Sequence, residues 1–150
     1  VYMDEVCTQA LNNARLRIDK LGGKLTANLN LGNKTIQGDS THLGNIVNNL
    51  LDNAIKYSPD KLDITLETKI VDNSIEVSIA DKGLGMTPDQ QKHVFDKFYR
   101  VHTGDVHDVK GFGLGLSYVR KIIDAHQGRI KIKSNLGKGS RFSVFIPFNN

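Results

Sequence analysis

The chain has 150 residues, 39% of them hydrophobic and 24% charged, with a net charge of +4. That is enough chain for one domain with its own core, too much hydrophobic content for a disordered segment, and no apolar run near the roughly 18 residues that a membrane helix needs. The single cysteine, Cys7, excludes an intramolecular disulfide framework and a cysteine-ligated zinc ribbon.

The N-terminal run Val1-Tyr2-Met3-Asp4-Glu5 lacks the basic-then-apolar order of a signal peptide. It also lacks an initiating Met, which points to a piece of a longer chain. Residues 4–21 form an amphipathic pattern closed by Gly22-Gly23, predicting a helix. Residues 24–31 alternate through Leu25, Ala27, Leu29 and Leu31, predicting a strand. Gly32-Asn33 then predicts a tight turn into a hairpin partner at 34–37. Asp39, Ser40 and Thr41 offer side-chain caps to a second helix. Its stripe is Leu43, Ile46, Val47, Leu50, Leu51, Ala54 and Ile55, and Ser58-Pro59 ends it.

Ile64, Leu66, Thr68 and Ile70 alternate, Asp72-Asn73 turns, and Ile75, Val77 and Ile79 alternate again. This predicts a hairpin with one buried face. A short helix is expected near 88–94. Residues 99–110 have no periodicity and predict a long loop, a length that is usually functional or disordered. Residues 115–126 predict a helix with Leu116, Val119, Ile122 and Ile123 as its stripe, stopped by Gly128. Two final strands, 129–134 and 141–147, flank Leu136-Gly137-Lys138-Gly139. One α+β domain accounts for the whole chain.

Two features point to a bound anion. Half of the 14 glycines (83, 85, 111, 113, 115, 137 and 139) fall in three tight clusters. Residues 91–133 hold nine Lys/Arg against four Asp/Glu, so that stretch carries +5 while the rest is near −1.

Three segments carry candidate chemistry. On the second helix, a rotation of about 100° per residue places Asn53 at about +40° and Lys56 at about −20° from Asn49, with Asn45 and Asp52 flanking them. Asn is a poor helix former, so this row either packs against another helix or offers neutral oxygens and one cation to a hard metal and phosphate. Asp81 shares parity with Ile75, Val77 and Ile79 and so faces the core at a strand end. It either accepts from its own turn amides or meets a ligand donor, such as an adenine amino group, with Gly83 and Gly85 allowing close approach. The run Gly111-Phe112-Gly113-Leu114-Gly115-Leu116 leads into a helix and serves either as a hinge or as a phosphate cradle. Its spacing matches neither a dinucleotide fingerprint nor a Walker A loop.

The order of these segments resembles the catalytic ATP-binding domain of sensor histidine kinases, within the Bergerat-type ATPase group that includes DNA gyrase and mismatch-repair proteins. Asn49-Leu50-Leu51-Asp52-Asn53-Ala54-Ile55-Lys56-Tyr57-Ser58 resembles the N box. Asp81-Lys82-Gly83-Leu84-Gly85-Met86 resembles the first glycine box, and Phe95-Asp96-Lys97-Phe98-Tyr99-Arg100 the F box. The run from Gly111 resembles the second glycine box, and Gly137-Lys138-Gly139-Ser140-Arg141-Phe142 the last one. Met86 and Ser140 replace a more usual Ile and Thr.

The resemblance implies a two-layer α/β sandwich, with a mixed sheet of about five strands on three or so helices and a mobile ATP lid at about 99–110. It implies ATP and Mg²⁺ as cofactors. Asn53 would coordinate the metal with Asn49 beside it, Lys56 would reach phosphate, and Tyr57 would line the nucleoside pocket. Asp81 would accept from adenine, with Gly83 and Gly85 in its turn. Phe95 and Phe98 would anchor the lid, and Arg100 and Lys110 would meet phosphate. Gly111, Gly113, Leu114, Gly115 and Leu116 would cradle it, with Ser140 also at the nucleotide.

ATP-hydrolysing relatives carry a Glu where this chain has Asn49, and a carboxamide cannot act as a general base at neutral pH. The γ-phosphate is then kept for another nucleophile, and the resemblance implies that this is a histidine on a separate dimerisation domain, with a response regulator served by the full-length protein. His42, His93, His102, His107 and His126 all lack the acceptor context, so the isolated fragment should not phosphorylate itself. His42 and His126 are expected to be structural, His93 to sit on the surface, and Cys7 to be a packed thiol. An anti-sigma-type serine kinase and a non-catalytic nucleotide sensor share the same pocket pattern. Nucleic-acid binding is not expected, nor is direct membrane contact. A cytoplasmic domain of a membrane-anchored sensor is the expected setting.

Overall fold

Period-3.6 apolar patterns and period-2 apolar patterns share this chain, and the structure stacks the first on the second. The computed structural model describes residues 1–60, 62–96 and 115–148. In order, the elements are α1 (Met3–Lys20), β1 (Lys24–Asn28), α2 (Ser40–Lys56), β2 (Asp63–Val71), β3 (Ser74–Asp81), α3 (Pro88–His93), α4 (Gly115–Ala125), β4 (Arg129–Asn135) and β5 (Gly139–Pro147). The sheet order is β1-β2-β3-β5-β4. β1 runs parallel to β2, and the other pairs are antiparallel. This is the α+β, two-layer, mixed five-stranded sheet expected from the sequence.

The core lies between the sheet and its helices. α1 buries Met3, Cys7, Ala10, Leu11, Ala14 and Ile18, and α2 buries Leu43, Ile46, Val47, Leu50, Leu51 and Ala54. Leu116, Val119 and Ile123 of α4 join them. From the sheet come Ile64, Leu66, Ile75, Val77, Ile79, Phe142, Val144 and Ile146. Each large aliphatic side chain buried here contributes about 1.5–3 kcal/mol over exposure. Asp39 caps α2 by accepting from the Thr41 and His42 amides, which holds its carboxyl below the usual range. Cys7 is fully buried and its thiol is pushed up to about 12, mainly by desolvation, so it packs as expected.

Three expectations are corrected. Residues 34–37 do not form a hairpin with β1. They make a single antiparallel bridge, Thr35 to Tyr2, and the backbones of Val1 and Ile36 bond each other at 2.8 and 3.0 Å. The intervening turn is captured instead by tertiary partners. The Asn30 amide donates to Thr68 Oγ1 at 2.8 Å and the Leu31 amide to Asp4 Oδ2 at 3.0 Å, which drives Leu31 and Ile36 into the core. Second, β3 is buried on both faces. On its outer side Glu76 and Ser78 are buried: Arg141 crosses the sheet to Ser78 at 2.8 Å and Glu67 at 2.7 Å, and Lys69 Nζ lies 3.6 Å from Glu76. Arg129 likewise lies over the ring of buried Phe145. Third, the left-handed residue that ends α4 is Gln127, at φ 60°, rather than Gly128.

Candidate functional site

One end of the sheet collects Asp81, Gly83, Gly85 and Ser140, with Tyr57 beside them. Antiparallel pairing places Asp81, the last residue of β3, opposite Ser140 near the start of β5. The 81–86 turn is then sewn to its surroundings. The Leu84 amide donates to the Tyr57 carbonyl at 2.9 Å, just past α2, and the Leu84 carbonyl accepts from the Gly137 amide at 2.7 Å. The Met86 amide donates to Ser134 Oγ at 2.7 Å. A Cβ on Gly83 or on Gly85 would stand 2.0 Å from the Tyr57 or the Asn135 carbonyl oxygen, respectively. The close approach these glycines permit is therefore made by the protein's own backbone, which fixes the turn that carries Asp81.

Asp81 is 8% exposed. Its Oδ1 accepts from the Gly83 amide at 2.8 Å and the Ser140 amide at 3.3 Å. Burial raises the carboxyl to about 6, and these two amides oppose the shift. The turn-amide partner and the ligand acceptor foreseen as alternatives are compatible, because both described bonds go to one of the two oxygens. Ser140 acts here through its amide on Asp81, while its hydroxyl meets Ser134 Oγ at 2.8 Å.

On α2, Asn49 and Asn53 are half-buried and Lys56 is exposed. Lys56 makes no ion pair among the described residues. Asp52 is the only carboxylate on this helix, and it pairs with Arg17 of α1, away from the row. A Cβ on Gly115 would lie 3.3 Å from Asn49 Oδ1, so the carboxamide row meets the start of α4. Phe95 packs its edge on Phe142 at 6.3 Å and an interplanar angle of 81°, with the Arg120 guanidinium 5.1 Å above its ring. Tyr57 is half-buried against the core, and Leu116 is buried. Phe98, Arg100, Lys110, Gly111, Gly113, Leu114 and the lid expected at 99–110 lie outside the described residues.

Two residues of this site were not singled out from the sequence. Ser134 shares parity with Ile130 and Ile132 and ties the 81–86 turn to β5, an alternation that could have revealed it. The sequence predicts Ser58, with Pro59, only as the end of α2. It is 4% exposed, its Oγ has no hydrogen-bond partner among the described residues, and it sits 2.7 Å from where a Cβ on Gly83 would stand. An orphaned buried hydroxyl beside the Asp81 turn suits a site that takes up a polar ligand or its water.

Comparison with known proteins gives the family. The family model described as "Histidine kinase-, DNA gyrase B-, and HSP90-like ATPase" matches residues 38–150. The chain belongs to this family. The sensor protein RprX of Bacteroides fragilis is 43% identical over 146 residues, covering 96% of this chain and 28% of RprX. The mycobacterial sensor histidine kinase MprB superposes with a TM-score of 0.82 at 28% identity, over 98% of this chain and 95% of the MprB chain. Full-length ShkA in complex with AMPPNP gives 0.86 at 26% identity, over all of this chain and 31% of ShkA. The relatives within the family are thus sensor histidine kinases. The chain spans between about a fifth and two-fifths of the length of the curated relatives it matches. No helix among the described residues is long and apolar enough to cross a membrane.

Proposed function

We propose that this domain binds ATP with Mg²⁺ and presents the γ-phosphate to a histidine on a dimerisation domain of the full-length protein, which serves a response regulator in two-component signalling. The approach of the Asn49 carboxamide to the start of α4 at Gly115 carries this reading. It joins a row of neutral oxygens to the glycine-rich entrance of a helix, where free amides and the helix dipole favour phosphate.

The residues fit the two cofactors. Asp81 and the orphaned Ser58 hydroxyl offer polar partners at a buried turn, as an adenine edge requires. Asn53 with Asn49 supplies neutral oxygen donors, which leave room for phosphate ligands on Mg²⁺. The metal, when bound, would neutralise charge on the transferring phosphoryl group. Lys56, Arg100 and Lys110 would hold phosphate by charge, and Gly111, Gly113, Leu114, Gly115 and Leu116 would orient it. Tyr57 would line the nucleoside, Phe95 and Phe98 would anchor a lid at 99–110, and Gly83, Gly85 and Ser140 would set the position of Asp81. ShkA, solved in complex with AMPPNP, supports a nucleotide in this fold.

With Asn49 in the row and Asp52 paired to Arg17, α2 offers no carboxylate to activate water. Slow hydrolysis then preserves ATP for transfer by positioning. We place the domain on the cytoplasmic side of a membrane-anchored sensor, with no nucleic-acid partner. The test is incubation with γ-labelled ATP of this domain joined to its dimerisation helices. Acid-labile, base-stable label on the helices is the expected result. Acid-stable label on a serine would establish the anti-sigma type instead, and no transferred label would refute a donor role.

A further inference from the structure

The observations point to a polar tie between α2 and α4 that the family reading does not use. Along α2, His42, Asn45 and Asn49 are spaced i, i+3 and i+7, so they share one face. Tyr118 lies in the first turn of α4, three residues past Gly115. Its hydroxyl is 2.7 Å from His42 Nδ1 and accepts from Asn45 Nδ2 at 3.3 Å. The two rings stand 6.1 Å apart at 44°. Asn45 Nδ2 donates to the tyrosine oxygen, and the bond between that hydroxyl and His42 Nδ1 runs in the sense set by the His42 tautomer. One turn further along α2, Asn49 meets Gly115.

The far end of α4 is located by packing. His126 Nδ1 bonds the Ile122 carbonyl at 2.8 Å, and its Nε2 stands 2.7 Å from where a Cβ on Gly38 would be, just ahead of the α2 cap. Thus α4 is referenced to α2 at both ends, and Tyr118 is the reference nearest the glycine run.

We propose that Tyr118, held by His42 and Asn45, is a positioning residue that sets where the start of α4 stands against Asn49, and thereby how the domain holds the polyphosphate of its nucleotide. This rests on the ATP-site reading above. Asp81, at the sheet end, anchors the base through separate contacts, so the tie should govern the phosphates and leave the nucleoside alone. Small displacements matter at such a junction, since charge-assisted bonds to phosphate depend steeply on geometry. His42 and Asn45 are exposed and Tyr118 is half-buried, and Tyr118→Phe keeps the ring, so loss of these bonds costs little global stability.

Titration calorimetry with Mg-ATP and with adenosine would test this on the wild type, Tyr118→Phe, His42→Ala and the double variant. Tyr118→Phe and His42→Ala should each weaken Mg-ATP about 3- to 10-fold while adenosine affinity and melting temperature hold. The double variant should be no weaker than the weaker single one, because both remove the same bond. Asn45→Ala, which spares the ring contact, should weaken Mg-ATP in the same selective way. Equal losses for the two ligands, multiplicative losses in the double variant, or no loss would overturn the positioning role. A wild type that binds neither ligand would instead refute the ATP site on which it rests.

Discussion

Asp81→Asn should make the domain more stable and a worse ATP binder. Burial raises the Asp81 carboxyl from an ordinary 3.8 to about 6. A shift of about two units is worth about 3 kcal/mol at 1.36 kcal/mol per unit, an upper figure for the cost of keeping this charge at neutral pH. The folded carboxyl keeps its proton up to about pH 6, while the unfolded one releases it near 3.8. Between these values the folded state binds more protons, so wild-type stability falls as pH rises through that window. Asn is isosteric and its Oδ1 can keep both amide bonds. The variant should therefore melt several degrees higher above pH 6, at about 2–4 °C per kcal/mol for a domain of this size. The difference should vanish near pH 4.

ATP should suffer, because the second oxygen becomes an NH₂ group facing the adenine amine. Losing a hydrogen bond to a charged acceptor costs about 1.5–3 kcal/mol, or roughly 10- to 150-fold in affinity. Discrimination against GTP should shrink with it. Thermal melts from pH 4 to 8, together with calorimetry for ATP and GTP, measure both effects. Unchanged ATP affinity would refute the adenine contact. Parallel melting curves for variant and wild type across pH would refute the buried-charge cost.

Asn53→Ala should cost at least about tenfold in ATP affinity when Mg²⁺ is present and much less in chelator, since the lost group is a metal ligand; equal losses in the two titrations would contradict that role. Asn49→Glu should raise ATP turnover by the isolated domain above a slow wild-type rate in a phosphate-release assay. A wild type that already hydrolyses ATP rapidly would undercut the reasoning. Gly85→Ala should destabilise by about 3 kcal/mol or more, because φ is 70° and the new Cβ would meet the Asn135 carbonyl at 2.0 Å. An unchanged melting temperature would show that the turn can move.

Local pattern was enough for the period-3.6 helices, the β2–β3 and β4–β5 hairpins and the four-glycine punctuation at 83, 85, 137 and 139. In each, the deciding interactions are short-range: Asp39 caps its own helix, Asp72 turns its own hairpin at φ 53°, and the apolar stripe of α2 falls on one side of one helix. The α2 row and the Asp81 turn were also legible, since residue type and spacing alone place them on a face or at a strand end. What the tertiary structure decided were partners. Residues 34–37 found the chain's first residues rather than β1, because Asp4 and Thr68, 27 and 38 residues distant from their bonds at 31 and 30, took the turn amides. Arg141 covered the outer face of β3 from another strand. Gly83 and Gly85 proved to admit backbone from Tyr57 and Asn135, and Ser140 to serve Asp81 through its amide. Periodicity reports which way a side chain faces; it holds no information on which distant atom waits there, and for this domain that second fact sets the charge on Asp81 and the seat of α4 on α2.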